Sequence, residues 1–102
     1  MPSGLEMRVK WLRKALQNFN NEADYIAQDD PAAAQLVVQR VFDAVNRLPD
    51  NPALGHVGRI HGTRELVVPN TRFIIPYRVR SQLNRIEILR VFHTSRRLPK
   101  RW

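Results

Sequence analysis

Two neighbouring stretches in the second half of the chain decide the fold: residues 72–80 read RFIIPYRVR, and residues 85–93 read RIEILRVFH. Alternating apolar residues in the first and abundant β-branched residues in the second predict two β-strands. One face of the first strand carries Phe73, Ile75, Tyr77 and Val79. The short connection at residues 81–84 makes the two strands a hairpin. Pro76 lacks a backbone N–H and therefore predicts an edge position or a bulge at that point.

Two helices precede this hairpin. The first is predicted from apolar residues spaced three and four apart. They are Leu12, Leu16, Phe19, Ala23 and Ile26. Asp30 followed by Pro31 predicts the start of a second helix, because aspartate caps the exposed amides and proline suits the first helical position. The apolar side of this helix extends from Ala34 to Leu48, so the two helices are expected to pack as an antiparallel αα-hairpin.

Two further strands complete the predicted order. Residues 7–11 alternate and predict a first strand. Residues 49–62 are rich in Pro, Asn, Gly and His, which indicates an irregular connection, and residues 63–68 predict the next strand. The order β-α-α-β-β-β predicts an α+β fold, in which an antiparallel sheet carries the αα-hairpin on one face.

The 102 residues suffice for one domain. We assign residues 1–6 to a leader and residues 7–102 to a single domain with a basic C-terminal tail. The chain has no cysteine, which excludes disulfides and thiolate metal sites. No apolar run approaches the roughly 20 residues that cross a bilayer. We therefore expect a cytoplasmic protein that contacts no membrane and needs neither a metal nor a cofactor.

The charge is divided unevenly along the chain. Residues 1–58 carry six Lys or Arg against seven Asp or Glu, whereas residues 59–102 carry eleven against two. Such asymmetry indicates a polyanionic partner, either nucleic acid or an acidic protein. Ten of the eleven basic residues are arginine, which favours bidentate recognition of phosphate or carboxylate.

Three motifs in the predicted order resemble the RelE/ParE superfamily of bacterial toxins. They are GRIHGTREL at residues 58–66, RFIIPYRV at residues 72–79 and ILRVFHTSRR at residues 88–97. The resemblance extends over about residues 7–99. It implies the growth-inhibiting toxin of a type II toxin–antitoxin system, assembled as a hetero-oligomer with a cognate antitoxin whose flexible acidic or amphipathic segment wraps it. RelE-type members cut mRNA in the ribosomal A site and ParE-type members act on DNA gyrase, and the resemblance does not choose between these targets.

The RelE-type alternative implies a metal-independent endoribonuclease with three candidate catalytic residues. His93 can serve as acid or base because imidazole titrates nearest neutral pH. Arg72 matches the strand arginine at the scissile phosphate, and Arg96 matches the second arginine near the C-terminus. Basic residues that would bind nucleic acid or another target are Arg64, Arg78, Arg80, Arg90, Arg97, Lys100 and Arg101.

The nuclease set is incomplete, and this keeps alternatives open. No tyrosine follows His93, and no glutamate lies within residues 49–61. We lean to ribosome-dependent mRNA cleavage on Arg72 and His93, with a ParE-type inhibitor of gyrase that lacks catalysis as the nearest alternative. A plain RNA- or DNA-binding module is a third. His93 can equally be structural, several arginines can pair with acids (Arg85 with Glu87 or Arg64 with Glu65), and Trp102 is expected to anchor the tail.

Overall fold

The computed structural model describes residues 7–95, 99 and 102, so the predicted leader lies outside the described residues. Its elements follow the predicted order, with two very short strands added. They are β1 (Arg8–Trp11), α1 (Arg13–Asp29), α2 (Pro31–Val45), β2 (His56–Val57), β3 (Arg64–Val67), β4 (Phe73–Arg80), a 3₁₀ turn (Ser81–Leu83), β5 (Arg85–Ile88) and β6 (Phe92–His93). The predicted cap is confirmed: the Asp30 side chain accepts a hydrogen bond from the Ala33 amide at 3.1 Å, with Pro31 at the first helical position.

Within the described residues the strands form one sheet in the order β1-β5-β4-β3-β2, with β6 also paired to β4. The two helices pack on one face, as predicted. The sheet is mixed, however, and not wholly antiparallel, because β1 pairs with β5 in parallel. After β1 the chain passes through the two helices and enters the sheet again at the opposite edge, in β2 and β3. No local pattern in the sequence of β1 determines whether it runs parallel or antiparallel to β5.

Pro76 lies in β4, which has neighbours on both sides, so the edge position is wrong and the bulge is confirmed. Tyr77 pairs with Ile88, whereas Ile74 pairs with Phe92. Two residues of β4 therefore face three residues, 89–91, on the other side, which is the extra residue that defines a bulge. The Pro76 carbonyl accepts from the Leu89 amide at 2.9 Å. Since N and O of one strand residue point to the same side, the proline nitrogen faces the bulge, where no donor is needed.

The core lies between the helices and one face of the sheet. The predicted stripe of β4 is confirmed, since Phe73, Ile75 and Tyr77 are buried and Val79 packs against them. The helices contribute Ala15, Phe19, Val41, Ala44 and Val45. Trp11 stacks on Phe19, and Phe42 meets both rings edge-on. The opposite face of the sheet, called here the outer face, is left to polar side chains.

Tyr77 ties the connection before β2 to the centre of the sheet. Its hydroxyl donates to the Pro52 carbonyl at 2.7 Å and accepts from the Gly55 amide at 2.9 Å. Burial raises the pKa of Tyr77 above its ordinary value and outweighs the bond from Gly55, which lowers it. The phenol thus stays neutral and available as a donor throughout the physiological range.

We expect Tyr77→Phe to lower the free energy of unfolding by about 1–2 kcal/mol, because a buried donor and a buried acceptor lose their partner. The thermal midpoint should fall by roughly 4–8 °C per kcal/mol in a domain of this size. Tyr25→Phe serves as the matched control, since Tyr25 is largely exposed. Equal midpoints for the two variants would contradict an anchoring role for the Tyr77 hydroxyl.

Candidate functional site

The backbones of Arg72 and His93 are neighbours, but their side chains share no hydrogen bond or ring contact. The Arg72 carbonyl accepts from the Thr94 amide at 2.7 Å, next to the pairing of Phe73 with His93. The His93 ring lies edge-on to Phe73, on the helix side, with ring centroids 5.2 Å apart. Arg72 is exposed and lies in the bend just before β4. The two candidate catalytic side chains therefore do not converge.

The His93 ring also has a local partner. Its Nδ1 accepts from the Ser95 amide at 3.2 Å and lies 2.6 Å from the Ser95 hydroxyl oxygen. Arg96, the third candidate catalytic residue, lies outside the described residues, as do Arg97, Lys100 and Arg101. In the described part of the chain, no acid or base accompanies His93 and Arg72 in a shared cleft.

Two of the predicted binding arginines are engaged elsewhere. Arg64 pairs in register with Tyr77, which puts it on the helix side, and its guanidinium donates to the Gly55 carbonyl at 2.7 Å. Its predicted partner Glu65 points to the other face. Arg90 lies in the bulge, donates to the adjacent Leu89 carbonyl at 2.6 Å and sits 5.7 Å from the centroid of the Trp102 ring. Both have structural contacts that a target-binding role would have to share.

The outer face gathers basic residues from three adjacent strands, and most of these were not predicted as a group. Arg8 of β1 pairs with Arg85 of β5, and Arg85 pairs with Arg80 of β4. One step along, Glu87 of β5 lies between Lys10 and Arg78 in the same way. We call this set of five basic residues around one carboxylate the basic face. Its members are Arg8, Lys10, Arg78, Arg80 and Arg85, with Glu87 at the centre.

Glu87 joins two of the five cations. Its carboxylate lies 2.7 Å from the Arg85 guanidinium and 3.5 Å from Arg78 Nε, and it is almost fully buried. The expected pairing of Arg85 with Glu87 is thus confirmed. Among the described residues, no other carboxylate forms an ion pair on the basic face. Arg8, Lys10 and Arg80 are exposed, so a positive surface remains for a partner.

Sequence reasoning found Arg78 and Arg80 but missed Arg8, Lys10 and Arg85. These residues come from the two ends of the chain, and only the parallel pairing of β1 with β5 brings them together. The sequence did show alternation: Arg8 and Lys10, like Arg78 and Arg80, are two residues apart and alternate with apolar residues, so each pair lies on the face opposite the core. That signal places residues on a face without saying which strands are neighbours.

A second feature of the outer face is the loop at residues 58–63, which Glu65 holds against the sheet. The Glu65 carboxylate accepts three hydrogen bonds from Arg59, from its backbone N, Nε and Nη2, at 2.9–3.2 Å. His56 Nε2 lies 3.6 Å away. Burial raises the pKa of Glu65, but the hydrogen bonds and charge of Arg59, with a smaller electrostatic effect of His56, together outweigh it, so the pKa lies below its ordinary value. The pKa of Arg59 is raised in turn by its bond to Glu65, so the pair stays charged.

Trp102 packs on the outer face beside this loop, in agreement with its expected anchoring role. Its ring meets Phe92 edge-on at 5.8 Å and lies beneath Arg90. Together with Ile60, His61, Arg78 and Leu89 it lines a cleft of about 270 Å³. A larger groove of about 350 Å³ lies between α2 and β3 and is lined by Arg40, Arg47, Leu54 and Val67, among others.

The described residues contain neither a metal-ligand cluster nor a membrane-spanning helix. No three His, Cys, Asp or Glu side chains among them converge on a point that could hold a metal ion. Neither described helix is long and apolar enough to cross a membrane.

Comparison with known proteins gives the family. A family model described as the ParE toxin of the type II toxin–antitoxin system parDE matches residues 9–98. The chain belongs to the ParE toxin family. The predicted membership of the RelE/ParE superfamily is thereby confirmed, and with it the fold and the general function as a type II toxin.

Two relatives of known sequence are themselves named as toxins. The protein named "Putative toxin Y4kP" from Sinorhizobium fredii is 42% identical over 93 residues, covering 91% of this chain and 94% of that protein. "Toxin RelE2" from Caulobacter vibrioides is 32% identical over 89 residues, covering 87% and 97%.

Two solved structures share the fold of this ParE-family chain. The chromosomal ParDE toxin–antitoxin system from P. aeruginosa contains a chain that is 28% identical, with a TM-score of 0.78 over 88% of this chain and 98% of that one. The RelBE2 toxin–antitoxin complex from Mycobacterium tuberculosis contains one that is 22% identical, with a TM-score of 0.59 over 86% and 98%.

Proposed function

We propose that this toxin arrests growth in the cytoplasm by binding DNA gyrase, without catalysis of its own, and that a cognate antitoxin neutralises it. The observation that carries the proposal is that Arg72 and His93 share no contact: Arg72 is exposed just before β4, whereas the His93 ring packs on Phe73 and lies beside Ser95. Metal-independent cleavage of RNA needs a base, an acid and a cation around one phosphate. A protein that acts by binding needs only a persistent surface complementary to some component of its target complex, and the basic face is a charged surface of that kind.

The antitoxin is proposed on two grounds. The structures named for ParDE and RelBE2 are toxin–antitoxin systems, and this chain shares their fold. The chain also carries a net charge of +8, which suits an acidic segment in a hetero-oligomer. The apolar rim of the groove between α2 and β3, where Leu54 and Val67 are about half exposed, would suit an amphipathic segment.

Cleavage of mRNA remains the rival function, favoured by the identity of 32% to a relative named RelE2. In that case Arg72, His93 and Arg96 would act on the phosphate, and Arg64, Arg90, Arg97, Lys100 and Arg101 would bind RNA. The rival requires that Arg96 and the tail bring an acid–base pair together on one face.

The test is induction of the toxin in cells, followed by separate pulse-labelling of DNA and protein synthesis. We expect DNA synthesis to fall first, purified toxin to inhibit supercoiling by gyrase, and Arg72→Ala with His93→Ala to retain most of the toxicity. Co-expression of the antitoxin encoded alongside should abolish the arrest. An early fall in protein synthesis with cut transcripts, lost in His93→Ala, would instead establish the mRNA-cleaving function.

A further inference from the structure

We propose that the basic face binds the phosphate backbone of duplex DNA directly. The inference deepens the proposed function, on which its biological setting rests, because gyrase is engaged with duplex DNA while it works. The toxin would then hold the DNA of the gyrase complex as well as the enzyme. The contact is with phosphates and carries no sequence preference.

Three arginines of the basic face form a row across the sheet, called here the arginine row. Arg8, Arg85 and Arg80 are direct cross-strand partners on three consecutive strands. Neighbouring strands lie about 4.8 Å apart, so the three Cα atoms span roughly 10 Å. One strand of B-DNA carries a phosphate about every 3.4 Å of helix axis, so a row of this length faces about three phosphates. The row is thus long enough for its arginines to reach more than one phosphate of a backbone.

The arginine row carries an electrostatic cost, because its members are cross-strand neighbours of like charge. Like charges directly opposite each other across strands destabilise a sheet by a few tenths of a kcal/mol to about 1 kcal/mol. This chain places three arginines in one cross-strand row and provides one carboxylate, Glu87, which is bound by Arg85 and Arg78. Glu87 therefore holds the centre of the basic face in place, while Arg8 and Arg80 at its two sides remain exposed. An external polyanion would relieve the repulsion.

The basic face suits DNA better than it suits an acidic protein segment. Protein partners use buried apolar or aromatic anchors within a polar rim. Among the described residues, the large exposed apolar side chains lie on the helices, on β2 and β3, and in the turns. Strands β1, β4 and β5, which carry the basic face, have none. A charged surface without anchors is the kind that binds through phosphate neutralisation and counterion release.

The experiment measures binding to a short duplex of mixed sequence by fluorescence anisotropy over a series of salt concentrations. The double variant Arg8→Gln/Arg80→Gln removes two exposed cations of the row. We expect it to bind more weakly and to reduce the slope of log K against log salt by about 1.8, or about 0.9 for each lost phosphate contact. The matched control is Arg13→Gln/Lys14→Gln, which makes the same charge change at two exposed residues at the start of α1 and should keep the slope.

Three results would overturn the inference. One is that the wild-type protein does not bind the duplex, or binds it with an affinity that does not change with salt. Another is that the control variant loses as much of the slope of log K against log salt as the test variant. The test variant could also bind DNA normally while losing affinity for a poly-glutamate peptide, which would assign the basic face to an acidic protein. Thermal melts of both variants verify that the fold is retained.

The same variants in a gyrase supercoiling assay separate this inference from the proposed function. Duplex binding without inhibition of gyrase would support the DNA contact and refute the gyrase target. Inhibition of gyrase by a protein that does not bind duplex DNA would refute the DNA contact and leave the target standing.

Discussion

Replacing Glu65 with glutamine is expected to lower the free energy of unfolding by about 2–3 kcal/mol, the largest loss that we anticipate from one isosteric change. The carboxylate is 3% exposed and accepts three hydrogen bonds from Arg59. An uncharged amide would keep the volume but weaken these bonds, and its NH₂ group would face a donor. The thermal midpoint should fall by roughly 10–20 °C.

The loss of unfolding free energy in Glu65→Gln should be largest at neutral pH and should shrink as the pH falls. The folded pKa of Glu65 lies below its value of 4.5 in the unfolded chain. Its ionised form therefore stabilises the fold fully above that unfolded value, and the contribution disappears as the pH falls through the folded pKa. Denaturant unfolding at neutral pH and at progressively acidic pH should show the wild type converging on Glu65→Gln. Asp43→Asn, which removes an exposed carboxylate, is the control and should change stability by less than about 0.5 kcal/mol.

Loss of this ion pair should release the loop at residues 58–63 from the outer face. Hydrogen exchange of the Arg59 amide, which donates to Glu65, should accelerate in Glu65→Gln before global unfolding. An unchanged exchange rate and an unchanged midpoint would mean that the loop is held by its turn contacts alone, such as the bond from the Gly58 amide to the Thr63 carbonyl at 2.9 Å.

Gly55→Ala should have the second large effect, a loss of about 2–3 kcal/mol from overpacking. A Cβ atom at this position would lie 2.7 Å from the Glu65 carbonyl oxygen and 2.7 Å from Tyr77 Cε1. One neighbour is backbone and the other a fully buried ring, so neither can move without disturbing the sheet. The connection would shift outward, and the hydrogen bond from the Gly55 amide to Tyr77 would lengthen.

Gly62→Ala is the comparison that isolates packing from backbone strain. Gly62 has φ +80° and open space around its Cα, so alanine there costs about 1 kcal/mol through conformation alone. Chemical denaturation of both variants should rank Gly55→Ala as clearly the more destabilised. The reverse order would mean that the contact between the connection and Tyr77 has room to relax.

Much of the fold follows from local patterns in the sequence. The two helices, the Asp30 cap and the alternation of residues 73–79 each depend on residues close in sequence and were predictable for that reason. Within the predicted stripe of α1, however, Leu16 is 42% exposed, and the adjacent Ala15 is buried. The strand predicted at residues 85–93 divides into β5 and β6, because the bulge opposite Pro76 interrupts the pairing. The direction of β1 depends on where a distant strand lies, and no local pattern encodes it.

The candidate site was less predictable for the same physical reason. Arg78 and Arg80 lie on one strand, and their shared face follows from alternation. The contribution of Arg8 requires the parallel pairing of β1 with β5. The partner of Glu65 was also missed, since the adjacent Arg64 projects to the opposite face and Arg59 reaches the carboxylate only because its loop folds back.

The bulge opposite Pro76 has a consequence for assembly. A ladder of alternating apolar residues can in principle align with its partner in several frames, each of which buries a similar area. Here only one register sets the Pro76 nitrogen beside the extra residue of the bulge. A shift of the partner strand would place a buried carbonyl opposite Pro76, which has no N–H to donate. Misaligned hairpins are therefore penalised at the centre of the sheet, where water cannot compensate. Pro76 therefore helps to fix the register of β4 and β5, two of the strands that carry the arginine row.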